Sequence, residues 1–202
     1  VAPPYDVMSY QEAVDLAEDK PNSFLHISRP EIDLPPGTDP YSSRVYEKAK
    51  SNLRVLLDER ILSRDDVACF YVYRLTGHGV CQTGLVVTAS VDAYDKNFIR
   101  KHEFTRPVKE DDRVRQIDAL CAQTGPVLIA YPSSTLIDSI IASESVGKPE
   151  MEVLAADGVR HEVWVVSSAE KLAQLVALFD DLLAVYIADG HYRSAVGSRV
   201  KR

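Results

Sequence analysis

Cysteine is scarce and badly placed for cross-linking: the 202 residues hold three, Cys69, Cys81 and Cys121, odd in number, with no Cys-x-x-Cys pair and no histidine at zinc spacing. This argues against a disulfide scaffold or a structural zinc module and leads us to expect a reduced, cytoplasmic protein. Long apolar runs are missing as well. No stretch approaches the roughly 20 residues that a membrane-spanning helix needs, and Val1 to Met8 has neither the basic start nor the apolar centre of a secretion signal, so no membrane partner is expected. Positive charge is in deficit, with 23 Lys and Arg against 30 Asp and Glu and a net charge of -7. Broad nucleic-acid binding is therefore disfavoured, and any anion site must be local. The standard phosphate loops, Gly-x-x-x-x-Gly-Lys-Ser/Thr and Gly-x-Gly-x-x-Gly, are absent too.

What is present is an ordinary globular composition, 46% hydrophobic and 26% charged, enough for one sizeable domain or two small lobes. Ser9-x-x-Glu12 is a capping box ahead of Ala13, Val14, Leu16 and Ala17, which predicts a first helix. Ser23 to Ile27 reads as a strand. The four prolines from Pro30 to Pro40 predict an extended loop, after which Asp39 caps a helix whose apolar face is Val45, Ala49, Leu53, Leu56 and Leu57. Cys69 to Leu75 and Val80 to Val91 form a predicted hairpin across Thr76-Gly77-His78-Gly79, with His78 as a turn residue. Pro107 to Gln123 reads as helix, Val127 to Tyr131 as strand and Leu136 to Ile141 as helix. A second hairpin pairs Met151 to Ala155 with His161 to Val166, and Ser167-x-x-Glu170 caps a helix through Leu172, Leu175, Val176 and Phe179. Hairpins mixed with helix crossovers predict an α+β fold with a mixed sheet, and Trp164 is expected in its core.

The most distinctive segment is Val185-Tyr186-Ile187-Ala188-Asp189-Gly190-His191-Tyr192-Arg193. A short apolar strand stops at a glycine turn, and a helix follows. Backbone N–H groups, an imidazole and a guanidinium then meet at one point, an arrangement that attracts phosphate. The same residues also fit an ordinary turn with a surface histidine and an ion-paired arginine. A second polar stretch, Arg100 to Arg113, holds His102 and Glu103 beside a helix start, where a carboxylate could accept a proton; along that helix Arg106, Glu110, Arg113 and Ile117 fall on one face, so that Glu110 and Arg113 would brace each other. Asp6 follows Pro3-Pro4-Tyr5 as a loop carboxylate, and His26, Arg29 and Glu31 end the strand expected at Ser23 to Ile27.

Five segments in this order, Val1-Ala2-Pro3-Pro4-Tyr5-Asp6-Val7, Ser23 to His26 with Arg29 to Glu31, Lys101 to Glu103 with Thr105, Lys109-Glu110 with Asp112-Arg113, and Tyr186 to His191 with Arg193, together resemble a bacterial and archaeal family labelled a domain of unknown function. That family's terminal motif, usually Asp-Gly-His-His-Arg, resembles the phosphate-binding loop of the ParB and sulfiredoxin superfamily, in which some relatives are kinases of free serine. Tyr192 stands here where the second histidine would be. The resemblance implies a ParB/sulfiredoxin-like element at the C-terminal end and a small-molecule kinase that moves a phosphoryl group from pyrophosphate or a nucleotide to free serine, with magnesium. It implies Gly190, His191, Arg193, Lys109 and Arg113 on phosphate, Asp189 on magnesium or fixing the loop, Glu103 with His102 in proton transfer, and His26, Arg29 and Asp6 on the acceptor side. A nucleotide-dependent ParB-like DNA-binding regulator and a non-catalytic phosphate or metabolite binder are its rivals. Members of that family are roughly twice this length. With Val1 in place of an initiator methionine and a helix just beginning at the other end, we expect the N-terminal part of a longer α+β protein, truncated after the Asp-Gly-His-x-Arg helix start.

Overall fold

A computed structural model describes every residue except Val1, Pro3, Pro4, Asp6, Phe104, Arg106 and Arg202, and leaves aside the side chains of Pro107, Val108 and Lys109. The chain divides into two compact units, one built from residues 1–64, 101–128 and 187–202, the other from 65–100 and 129–186. Helices accompany both antiparallel and parallel strand pairs, so the fold is α+β.

The first unit is helical. Its opening helix, α1 (Tyr10–Ala17), carries the predicted capping box: the Ser9 hydroxyl accepts from the Glu12 N–H, and the Ser9 N–H donates to the Glu12 carboxylate at 2.7 Å. These bonds satisfy two of the donors that a helix start otherwise leaves open. The predicted strand at Ser23 to Ile27 is instead a single helical turn, α2 (Leu25–Ser28), followed by a 3-10 turn at Pro30–Asp33. A strand needs a neighbouring strand for its carbonyls. Here the carbonyl of His26 accepts from the Asn52 amide at 2.6 Å and that of Ile27 from the Gln116 amide at 2.8 Å, so side chains of two later helices replace the ladder. The first of those helices, α3 (Ser43–Asp58), begins after Ser42, not at Asp39. Asp39 spends its carboxylate on the Tyr41 N–H in a turn, which moves the helix start onward. Val45, Ala49 and Leu56 are buried as expected, Tyr46 joins them, and Leu57 is exposed. Helix α5 (Pro107–Leu120) packs against both α3 and the last helix, α8 (His191–Lys201). The core lies around Ile27, Ala49, Leu56 and Leu120, flanked by Phe24, Leu53 and Leu62.

The second unit is built on a four-stranded antiparallel sheet in the order β2-β1-β6-β5, with β1 Phe70–Gly77, β2 Val80–Val86, β5 Met151–Leu154 and β6 Arg160–Val166. Gly77 pairs with Val80 across the two-residue turn His78-Gly79, whose φ values of 51° and 78° suit the right-handed twist of a tight hairpin. The second strand ends at Val86; the predicted extension to Val91 gives way to a short helix, α4 (Val91–Asp95), because Ser90 accepts the Ala93 N–H as its cap. Helices α6 (Thr135–Glu144) and α7 (Ala169–Asp180) contribute Ile137, Ile141 and Leu175 to a core shared with Val72, Trp164 and Val166. The cap of α7 is Ser168, one residue later than expected. A three-stranded sheet has the order β3-β7-β4, from β3 Ile99–Arg100, β7 Val185–Asp189 and β4 Leu128–Ala130; β3 and β7 run parallel, Ile99 against Val185.

Among the described residues no helix is long and apolar enough to cross a membrane.

Candidate functional site

Val185 and Ile187 are buried in β7, so this strand is anchored on alternate residues and ends at the polar Asp189. Gly190 then turns the chain with φ +94°, a conformation that L side chains rarely adopt. Helix α8 starts at the next residue, His191, as the sequence predicted. The Ser194 N–H donates to the carbonyl of Gly190 at 3.0 Å and closes the first turn. The N–H groups of that turn ahead of Ser194 have no carbonyl within the helix to reach, and the positive end of the helix dipole lies there.

His191 is buried, its side chain 5% exposed, and it meets the 101–103 segment of the same unit. The backbone N–H of His102 donates to His191 Nε2 at 3.4 Å, while His191 Nδ1 lies 3.7 Å from Glu103 Oε2. The imidazoles of His102 and His191 contact edge to face, with centroids 4.3 Å apart and planes at 79°. The Glu103 side chain is 63% exposed. A carboxylate open to solvent thus stands beside the open turn of α8, joined to it through a buried ring. One ligand atom from each of His102, Glu103 and His191 lies within 4.8 Å of the others, a spacing that a divalent cation could close.

Arg193 is occupied by its own loop. Its Nη2 donates to Asp189 Oδ2 at 2.6 Å and its Nη1 to the carbonyl of Pro126, while the Gln123 amide donates to the Arg193 carbonyl at 3.4 Å. Gly125 makes room for it: a β-carbon there would stand 2.8 Å from Arg193 Cδ. Sequence reasoning missed Gln123, Gly125 and Pro126 as supports of this loop, and the Gly-Pro pair was their one local signal.

The other described site residues named from the sequence have partners of their own. His26 places Nδ1 2.8 Å from Asp33 Oδ1 and Nε2 3.1 Å from the Lys20 carbonyl, and Asn52 bridges to the same Asp33. Arg29 donates to Glu31 and to the carbonyls of Tyr5 and Met8, so both residues tie the N-terminal segment together. The expected brace between Glu110 and Arg113 does not form. Arg113 instead donates twice to Asp112 and lies 4.3 Å over the Tyr5 ring, while the buried Glu110 and its neighbour Asp111 accept from Arg199 of α8. Two helices packed side by side offer Glu110 a cross-helix partner that a reading of one helix face does not reveal. Tyr46 donates to Asp112 at 2.8 Å; burial first, and then this bond and the Asp112 charge, push its phenol well above the usual tyrosine range. Asp6 and the Lys109 side chain lie outside the described residues.

Taken together, the α+β fold and the strand, glycine turn and helix start place the chain among proteins that gather polar groups at a helix N-terminus. The chain belongs to the family described as protein of unknown function DUF1015, whose model matches residues 1–202. No curated protein and no solved structure matches it.

Proposed function

We propose that this chain carries the phosphoryl-transfer centre of a small-molecule kinase, with pyrophosphate or a nucleotide as donor and free L-serine as the favoured acceptor. The observation that carries the reading is the exposed Glu103 carboxylate held 3.7 Å from the buried His191 at the open first turn of α8. Phosphoryl transfer asks a protein to hold the donor, neutralise its charge and align a hydroxyl with a base. The N–H groups of the first turn of α8, which have no carbonyl within the helix to reach, supply the first need. Asp189, 69% exposed at the side chain, offers an oxygen to magnesium arriving with the donor, and taking up the cation would release Arg193 toward the phosphates. The family resemblance adds Lys109 and Arg113 as further cations for the donor.

In the step itself the acceptor hydroxyl gives its proton to Glu103, its oxygen forms the new bond to phosphorus, and the bond from phosphorus to the leaving phosphate or nucleotide oxygen breaks. The likeness of the Asp-Gly-His-x-Arg turn to the ParB and sulfiredoxin loop supports the same reading. Phosphorus NMR of the chain with magnesium, serine and, in separate samples, pyrophosphate, ADP and ATP tests it, with phosphoserine and the matching leaving group as the expected products. Ligand binding without turnover would replace the kinase by a phosphate or metabolite sensor, and a salt-dependent affinity for DNA would replace it by a nucleotide-dependent regulator.

A further inference from the structure

Each nitrogen of the His191 ring faces a polar group of the 102–103 segment, and the chemistry of those two contacts fixes its protonation pattern. A backbone N–H can only donate. The His102 N–H directed at Nε2 therefore requires a lone pair there, and a neutral imidazole with a bare Nε2 carries its proton on Nδ1. Nδ1 is the atom that faces Glu103 Oε2. The ring is thus arranged to accept from the backbone of one residue and to donate to the side chain of the next. At 3.7 Å the second contact is still open, but the Glu103 side chain is largely exposed and can close it by a small rotation, as contacts at such sites commonly do when a ligand arrives.

Two other roles for His191 conflict with this pattern. Gripping phosphate needs an N–H turned to the ligand, yet the only N–H points at Glu103. Joining His102 and Glu103 around a cation needs a lone pair, yet the only lone pair faces the His102 N–H; their 4.8 Å spacing alone does not supply one. The ring is buried at the first position of α8 and packed edge to face against His102, which leaves it little room to swivel.

We propose that His191 is a positioning residue: as the neutral Nδ1–H tautomer it clamps the His102 backbone and the Glu103 carboxylate and so holds Glu103 beside the first turn of α8, without itself binding phosphate or metal. The function of that placement rests on the kinase reading above; the clamp does not. This separation shapes the test. Long-range proton–nitrogen NMR of the chain labelled with ¹⁵N-histidine at neutral pH is expected to give His191 a protonated Nδ1 and a bare Nε2, unchanged by inorganic phosphate, pyrophosphate or zinc. A proton on Nε2, or a change of the His191 ring nitrogens on adding phosphate or zinc, would overturn the clamp whether or not the chain is an enzyme.

Given turnover in the phosphorus assay, three variants supply the second arm. Asparagine puts its amide N–H near the place of Nδ1, while glutamine puts it near Nε2 and alanine has none. His191→Asn should keep kcat within about threefold of the parent, whereas His191→Gln and His191→Ala should lose roughly thirtyfold or more, with the KM for the donor within about twofold throughout. A donor KM that rises along with the loss of kcat would make His191 a phosphate ligand. Glutamine outperforming asparagine would make it a packing residue, and either result ends the proposal. If no donor gives turnover, the kinase reading fails and the nitrogen shifts alone decide the clamp.

Discussion

Replacing Gly190 by alanine places two separate loads on the turn between β7 and α8. The first is conformational: at φ +94° an L residue pays about 1–2 kcal/mol for holding a backbone shape that glycine adopts freely. The second is crowding, because a β-carbon at this position would stand 3.1 Å from Arg193 Nε, 3.3 Å from Cζ and 3.4 Å from Nη2. The guanidinium must then shift, and it is held by Asp189 and the Pro126 carbonyl, so one or both bonds weaken. Loss of hydrogen bonding of this kind costs about 1 kcal/mol, with the Asp189 part discounted because that carboxylate is mostly exposed. The sum is about 2–3 kcal/mol, which for a chain of this size lowers Tm by roughly 4–12 °C. Thermal unfolding followed by circular dichroism measures it. A double-mutant cycle separates the loads: on an Arg193→Ala background the crowding vanishes, and Gly190→Ala should cost only the conformational share, about 1–2 kcal/mol. The same cost in both backgrounds would refute the packing of Arg193 under the turn. A cost below about 0.5 kcal/mol would refute the requirement for glycine itself.

Three further outcomes are expected. Glu103→Gln keeps size and removes the proton acceptor, so turnover should fall about a hundredfold with donor binding nearly intact, as read by the phosphorus assay; full activity would take the base role from Glu103. Arg29→Met should lower stability by about 2 kcal/mol in urea denaturation, since it strips donors from Glu31 and from the Tyr5 and Met8 carbonyls; a loss of serine affinity with unchanged stability would return Arg29 to the acceptor side. For Tyr46, the folded chain holds the phenolic proton more tightly than the unfolded chain does. Its contribution is therefore fully present below about pH 10 and lost as pH rises beyond it, and Tyr46→Phe should show a shallower decline of stability above pH 10 than the parent, against equal slopes if the phenol is neither buried nor bonded to Asp112 in solution.

Local chemistry determined much of this molecule. The Ser9 capping box, the two hairpins and the strand, Gly190 turn and α8 start could be read from the sequence because each depends on residues a few positions apart, whose hydrogen bonds and φ values need no distant partner. The sequence also singled out His102, Glu103 and His191, and the kinase resemblance put them in one phosphoryl-transfer centre without saying how they touch. Their meeting, with centroids of the two rings 4.3 Å apart across a gap of 89 residues, follows from tertiary packing. Where tertiary partners compete with local preference, the sequence misled. The carbonyls of His26 and Ile27, expected in a strand ladder, go to Asn52 and Gln116, and Glu110 turns from Arg113 to Arg199. A side chain's partner is chosen by what packing brings within about 3 Å, and periodicity along one element carries no information about the element lying against it.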